Sequence, residues 1–133
     1  MKYHIGQKAT FEKKIKKEDV IDFSRITGDH NPIHINEKYA ENSIFKKPIA
    51  HGILCSGLIS ALIANKLPGE GTIYLGQELK FLEPVFYNDI LIAKVEIEDI
   101  IIEKKHILLS TVVMKKNNQI VIEGKARVKV KEV

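Results

Sequence analysis

The sequence predicts an α+β fold in which an antiparallel sheet wraps around one long helix. From Thr72 onward, apolar and polar residues alternate with the period of two that is typical of half-buried strands. The segment from His51 to about Lys66 is instead apolar around most of its circumference, which predicts a buried helix. A chain of 133 residues is long enough for one core, so we expect residues 1–133 to form a single domain.

The strands are expected in chain order. A first strand is predicted over Thr10–Lys16, and four long strands in a meander are expected after the helix. The segment from Ile107 to Met114 is apolar on both faces, and Asn117-Asn118 predicts a hairpin turn into the last strand. Three strands have these apolar positions: Ile73, Leu75, Leu79 and Phe81; Leu91, Ala93, Val95 and Ile97; Ile120, Ile122, Ala126, Val128 and Val130.

Short helices are predicted between the first strand and the long helix. Glu18 and Asp19 lie in the first turn of a helical pattern that Gly28 ends. Pro32 is expected to keep the following loop out of regular helix, and residues 37–42 form another short helical piece.

Composition argues against several kinds of partner. The net charge is +4, but only two of the basic residues are arginines and the lysines are dispersed among glutamates, which indicates a solvated surface and no nucleic acid. The apolar run from Ile53 to Ala64 is too short to span a membrane, so no membrane association is expected. Residues 1–6 lack an apolar signal core, which predicts a cytoplasmic protein. Cys55 is the only cysteine and is expected in the core.

The stretch Gly28–His34 carries the candidate chemistry. Asp29 and His34 can converge on one small substrate atom, although a single Asp or His in a loop is more often a cap or turn residue. Gly52, at the predicted start of the long helix, has a backbone N–H that could hold a developing oxyanion. The three together suit proton transfer next to a carbonyl, with water added or lost at the beta carbon.

Three further residues are candidates for binding substrate or supporting the pair: Asn31, Ser56 and Ser60. Ser56 and Ser60 follow Gly52 at four-residue steps, so they share a face of the helix. A serine in a buried helix more often bonds back to a carbonyl one turn earlier.

A metal site is not expected. His30 and His34 have a four-residue spacing that could suggest zinc, but Pro32 argues against the regular helix that would align them, and no third ligand is evident. The sequence also lacks a Gly-x-Gly-x-x-Gly, a phosphate-binding P-loop and a Gly-x-Ser-x-Gly pattern.

The stretch from Thr27 to His34, together with Pro48–Gly52, resembles the MaoC-like (R)-specific enoyl-CoA hydratases, a family with the hot-dog fold. The resemblance implies that Asp29 and His34 are the catalytic pair and that Gly52 donates to the thioester oxygen. It also implies that Ser60 supports the pair. The implied reaction is the reversible hydration of a trans-2-enoyl-CoA to the (R)-3-hydroxyacyl-CoA, with the roles of the two catalytic residues left open.

The same resemblance implies a homodimer that acts on acyl-CoA thioesters without a cofactor or metal, the coenzyme A being part of the substrate. The chain departs from the family pattern at Asn36, where relatives often have an acid, and has His30 at a position that varies. The first departure puts little in doubt, because asparagine can also cap the next helix, whereas the charge of His30 could perturb Asp29 electrostatically.

Three other functions stay open as alternatives. A 3-hydroxyacyl-[acyl-carrier-protein] dehydratase of the same fold would have a His-Phe-Pro motif and a glutamate in the central helix, and an acyl-CoA thioesterase would have an acid there. No acid lies between Glu41 and Glu70, which disfavours both. A non-catalytic acyl-CoA-binding hot-dog protein would have no need of an acid-base pair.

Overall fold

A computed structural model describes all of residues 1–133 and contains one five-stranded sheet. The strands are β1 (Lys8–Lys14), β2 (Ile73–Phe81), β3 (Ile90–Ile101), β4 (His106–Lys115) and β5 (Ile120–Lys129). Every neighbouring pair is antiparallel, and the order across the sheet is β1-β3-β4-β5-β2. The predicted antiparallel α+β fold is therefore confirmed.

Four helices lie outside the sheet: α1 (Lys17–Thr27), α2 (Pro32–Ile35), α3 (Glu37–Glu41) and α4 (Gly52–Asn65). A single turn of 3₁₀-helix, Ile102–Lys104, joins β3 to β4. None of these helices combines the length and the apolarity that crossing a membrane would require.

The predicted four-strand meander is wrong in one respect. Strands β3, β4 and β5 do follow one another across the sheet, but β2 pairs with β5 at the far edge and not with β3. Residues 82–89 connect β2 to β3, and a connection of this length is not a tight hairpin. Alternation along a strand reports which residues face the core, and it does not report which strand lies alongside.

Helix α4 packs on the sheet and supplies the centre of a core cluster of 23 buried residues. Its buried side chains are Cys55, Leu58, Ile59, Leu62 and Ile63. The predicted burial of α4 is confirmed for the side that faces the sheet, but one stripe of the helix is exposed, where Ile53 is 56% exposed. Gly57, Ser60 and Ala64 continue that stripe. The sheet covers one side of the helix, and the opposite side is open in the single chain.

The segment between α1 and α2 is held by local hydrogen bonds. Gly28 ends α1 in the left-handed conformation, with φ of 82°, which glycine adopts without strain. Asn31 is the N-cap of α2, and its side-chain oxygen accepts from Ile33 N–H at 3.3 Å.

Pro32 was expected to keep this segment out of helix, but it is the first residue of α2. Proline suits that position, because the N–H it lacks would have no partner in the first turn. His30 precedes the cap residue and His34 lies inside α2, so the two imidazoles are not on one helical face. This removes the basis for a zinc site formed by His30 and His34.

A glycine in β5 gives a first testable prediction. A Cβ on Gly124 would lie 1.8 Å from the backbone oxygen of Glu78 in β2, a contact that requires the two strands to move apart. We expect Gly124→Ala to lower the free energy of unfolding by about 3 kcal/mol, measured by urea denaturation. Gly76→Ala is the matched control, because a Cβ on Gly76 meets nothing within 4 Å. Equal stability of the two variants would contradict the prediction.

Candidate active site

The structure brings together Asp29, His34 and His51, whose ligand-type oxygen and nitrogen atoms all lie within 4.8 Å of one another. Asp29 follows the end of α1, His34 lies in α2, and His51 immediately precedes α4. The first two were predicted from the sequence to act as a pair, and the third was not. Three separate elements therefore meet at one small site.

The hydrogen bonds of His34 define its tautomer. Its Nδ1 lies 2.8 Å from the backbone oxygen of Ile49. A carbonyl oxygen only accepts, so Nδ1 carries a proton, and in the neutral ring Nε2 is left with a free lone pair. His34 is only half-buried, and Nε2 has no hydrogen-bond partner in the chain. The residue is thus arranged to take up a proton at Nε2.

The backbone of His34 is also held. The hydroxyl of Tyr87, in the segment between β2 and β3, donates a hydrogen bond to the His34 carbonyl oxygen. Burial, and then the charge of Glu37, raise the pKa of Tyr87, so its hydroxyl stays protonated as a donor. This bond joins α2 to the connection between β2 and β3.

Asp29 is exposed, and one of its carboxylate oxygens accepts from Asn31 N–H at 3.3 Å. The Asp29 N–H donates to Thr27 Oγ1 at 3.2 Å. The turn-bracing role considered for Asp29 therefore occurs in the structure. This role occupies only one oxygen of the Asp29 carboxylate. The second oxygen has no partner in the chain and remains open to a ligand.

His51 is almost fully buried, at 2% exposure. Its Nε2 lies 3.1 Å from Ser24 Oγ and 3.4 Å from the Asp29 backbone oxygen, and its ring centroid is 3.9 Å from that of His34. Burial, with a smaller effect of the charge on His34, lowers the pKa of His51 despite the opposing effect of Asp29. His51 is therefore neutral at neutral pH.

Gly52 begins α4. Within α4, the first backbone N–H that has an acceptor is that of Cys55, which donates to His51 O at 3.2 Å. The Gly52 N–H has no acceptor in the chain and is therefore free to bind a ligand. Glycine was expected to let a substrate approach the backbone, but here an aromatic ring does so. A Cβ on Gly52 would lie 2.5 Å from Phe81 Cδ1, so the ring of Phe81 packs directly against the Gly52 Cα.

A largely apolar cavity of about 370 Å³ opens beside Gly52. Nine of its twelve lining residues are hydrophobic. The lining comes from the segment before α4, from α4 itself, from β2 and β5, and from the connection between β2 and β3. Ile49, which accepts the hydrogen bond from His34, also lines the cavity. The polar cluster and the apolar cavity therefore adjoin each other at Ile49 and Gly52.

The three supporting candidates lie apart from this cluster or are otherwise engaged. The side chain of Asn31 caps α2, and Ser56 Oγ donates to the backbone oxygen of Ile53 at 2.7 Å. Ser60 lies on the exposed stripe of α4, eight residues beyond Gly52, which corresponds to about 12 Å along a helix. The described contacts therefore do not join Ser60 to Asp29 or His34.

Two imidazoles and one carboxylate form a donor set that transition metals use. His51 is the third candidate ligand that was not evident from the sequence. The two rings pack against each other, with centroids 3.9 Å apart and an interplanar angle of 31°, and His34 Nδ1 is already bonded to the Ile49 backbone oxygen. The Nε2 of His51 is also engaged by Ser24. The arrangement suits proton transfer better than metal coordination.

His51 was missed because the residues that it contacts, Ser24 and His34, lie far from it in the chain. The signal that could have identified it is its place between the breaker Pro48 and the small residue Gly52, where the chain enters a mostly apolar helix. A side chain at such an entry is carried into the core.

Comparison with known proteins supports a relationship over almost the whole chain. Residues 2–120 match the model of the family described as "MaoC like domain". The (R)-specific enoyl-CoA hydratase of Rhodospirillum rubrum is 42% identical over 94% of this chain and 86% of its own length. The 3-hydroxybutyryl-CoA dehydratase of Methylorubrum extorquens is 40% identical over 95% of this chain and 80% of its own.

Comparison with solved structures supports the same relationship. The solved (R)-hydratase of A. caviae superposes with a TM-score of 0.93 at 36% identity, over 96% of this chain and 97% of that one. The family match over residues 2–120 includes the cluster of Asp29, His34 and His51 and every helix and strand except β5. The chain belongs to the MaoC-like domain family.

Proposed function

We propose that this protein is an (R)-specific enoyl-CoA hydratase, a hydro-lyase that reversibly adds water to a trans-2-enoyl-CoA to give the (R)-3-hydroxyacyl-CoA. The observation that carries the proposal is the pairing of the open Asp29 carboxylate with a His34 whose Nε2 lone pair is free. A related hydratase and a related dehydratase, each about 40% identical, support the reaction class.

Each part of the site has a task in this reaction. The open oxygen of Asp29 and the Nε2 of His34 together hold the water, and one of them removes its proton while a proton is delivered to the alpha carbon. The Gly52 N–H donates to the thioester oxygen, where negative charge develops as the water attacks the beta carbon. The partial positive charge at the start of α4 favours the same oxyanion.

The apolar cavity beside Gly52 accepts the acyl part of the substrate. Its hydrophobic walls stabilise an acyl chain by burying it, and its adjacency to Gly52 places the thioester carbonyl at the helix start. The lysine-coated surface is compatible with the phosphates of coenzyme A.

The decisive experiment is addition of the purified protein to crotonyl-CoA. The enoyl-thioester absorbance should fall, and chiral analysis should identify the (R)-3-hydroxy product. No hydration of crotonyl-CoA or of longer enoyl-CoAs, in spite of tight binding, would replace the hydratase proposal with a non-catalytic acyl-CoA-binding function. Free coenzyme A in place of hydroxyacyl-CoA would indicate a thioesterase.

The proposed reaction uses no cofactor and no metal. Asp29 and His34 supply the acid-base chemistry, and a backbone N–H supplies the oxyanion donor. We expect turnover to be unchanged after dialysis against a chelator. Loss of activity that zinc restores would contradict this part of the proposal and would assign a metal to Asp29, His34 and His51.

We also propose that the protein is a homodimer that forms through β2 and the exposed stripe of α4. β2 is an edge strand whose outer hydrogen-bonding groups are unpaired, and it exposes Ile73 by 57% and Leu75 by 46%. Ile53 on α4 and Leu82 after β2 extend this apolar surface. An unpaired strand edge and an exposed apolar patch are typical of a surface that binds another chain.

Sedimentation equilibrium tests the homodimer. The protein should sediment at twice its chain mass of 15.1 kDa. Leu75→Glu should give the monomer mass at micromolar concentration, because it places a charge in the interface. Ile26→Glu, which changes an isoleucine that is 71% exposed on α1, is the matched control and should remain a dimer. A monomeric wild-type protein would reject the dimer.

A further inference from the structure

The buried side chain of His51 has a polar atom with no hydrogen-bond partner. Its Nδ1 is buried and unpartnered, in a residue that is 2% exposed. Leaving a buried polar atom unpaired costs about 1–3 kcal/mol, so its presence in a folded protein calls for an explanation. An apolar side chain would fill the same space without this cost.

The contacts of the other ring nitrogen fix the tautomer of His51. Its Nε2 lies between Ser24 Oγ, at 3.1 Å, and the Asp29 backbone oxygen, at 3.4 Å. The Asp29 carbonyl can only accept, so Nε2 carries the proton and Nδ1 is a bare lone pair in the neutral ring. Ser24 is itself buried in α1, at 3% exposure, so its hydroxyl is a rigid hydrogen-bond partner for His51 Nε2.

The ring of His51 is clamped between two other rings. The centroid of Phe23 lies 4.7 Å away at an interplanar angle of 51°, and that of His34 lies 3.9 Å away at 31°. His51 is therefore a rigid surface on which the half-buried ring of His34 rests. The charged or titratable groups that act on His51 are His34 from α2 and Asp29 from the loop after α1, while α1 presents only Phe23 and Ser24.

We propose that His51 is a positioning residue for proton transfer, which holds the ring of His34 so that Nε2 faces the substrate, and that Ser24 fixes the tautomer in which His51 does so. The inference rests on the proposed hydratase function. A neutral ring is required in this place, because a charged one at 3.9 Å would oppose the uptake of a proton by His34. Burial lowers the pKa of His51 and keeps it neutral.

The kinetic test compares three variants with the wild-type protein. His51→Ala removes the stacking surface and should lower kcat for crotonyl-CoA about 100-fold with KM changed by less than about threefold, since misplacement of a catalytic group by an ångström has such an effect. Ser24→Ala removes one hydrogen bond and should lower kcat about tenfold. His4→Ala, which changes an exposed histidine, should leave kcat unchanged.

A spectroscopic readout separates positioning from a merely structural role. Nitrogen-15 NMR of the wild-type side chains should show His34 protonated at Nδ1 and His51 at Nε2 near pH 7. In Ser24→Ala the His51 signals should report a mixture of tautomers. In His51→Ala the His34 signals should be averaged over several orientations of the His34 ring. Ser24→Ala keeps the test usable if His51→Ala does not fold.

Two results would overturn the inference. One is a kcat within twofold of wild type in folded His51→Ala, even if its melting temperature falls. The other is a set of His34 ring signals in folded His51→Ala that is identical to that of the wild-type protein. Failure of the wild-type protein to hydrate any enoyl-CoA would reject the proposed function instead, and the NMR outcome would still decide whether His51 positions His34.

Discussion

Asp29→Asn should lower kcat for hydration of crotonyl-CoA by about a thousandfold or more while leaving the fold intact. The substitution removes the basicity of the carboxylate and preserves its shape. The amide oxygen can still accept from Asn31 N–H, which the carboxylate does at 3.3 Å, so the loop after α1 keeps its brace. The activity loss can then be assigned to the chemistry of the side chain.

The control for this variant is Asp22→Asn. Asp22 is an exposed acid of α1 whose nearest cation is Arg25, with 3.9 Å between Oδ1 and Nη2, and an exposed ion pair of that length contributes little. It should retain wild-type turnover and the same melting temperature. Wild-type turnover in Asp29→Asn would remove Asp29 from the mechanism.

The double variant Asp29→Asn with His34→Ala sharpens the assignment. Groups that act as a unit show strongly non-additive losses, so the double variant should be about as slow as the slower single variant. Additive losses would indicate that the two residues serve independent steps. Single-turnover kinetics would measure the chemical step separately from product release.

The second large effect is expected for Gly52→Val, which should lower kcat by about 10²- to 10³-fold, the usual effect of losing an oxyanion donor. A Cβ at Gly52 would meet the Phe81 ring at 2.5 Å. Phe81 is 51% exposed, so the ring can swing outward and the fold should survive with about 1–3 kcal/mol less stability. The displaced ring and the added methyl groups would both move the thioester away from the Gly52 N–H.

The variant Phe81→Ala separates the effect of displacing the Phe81 ring from the effect of the methyl groups added at Gly52. It removes the ring and leaves the Gly52 N–H in place, so it should lose far less activity than Gly52→Val. In wild type, the infrared band of a bound thioester carbonyl should move to lower frequency, and this shift should be absent in Gly52→Val. Normal turnover in Gly52→Val, or an unshifted band in wild type, would reject the oxyanion role.

The sequence was sufficient for features that local chemistry determines. Gly28 ends α1 as predicted, because only a left-handed residue closes the helix there. The hairpin predicted at Asn117-Asn118 is confirmed, with Asn118 at φ of 73° and Lys115 N–H bonded to Gln119 O at 2.8 Å.

The sequence was insufficient where the outcome depends on residues far apart in the chain. β2 lies next to β5, and Phe81 packs on Gly52, because of the tertiary arrangement. The periodicity of apolar residues and the residues that form turns do not predict either contact. His51 was missed for the same reason, since its partners Ser24 and His34 lie 27 and 17 positions away. Asp29 and His34 were found because they lie five positions apart.

The position of Ile49 has a consequence for how substrate size is sensed. Its carbonyl accepts from His34 Nδ1 at 2.8 Å, its N–H donates to Ile33 O at 3.2 Å, and it also lines the apolar cavity. We expect that an acyl chain pressing on this wall would shift the acceptor that orients the imidazole. Substrates that fill the cavity badly should be processed slowly even when they bind well, so selectivity among acyl chains would be expressed in kcat as well as in affinity.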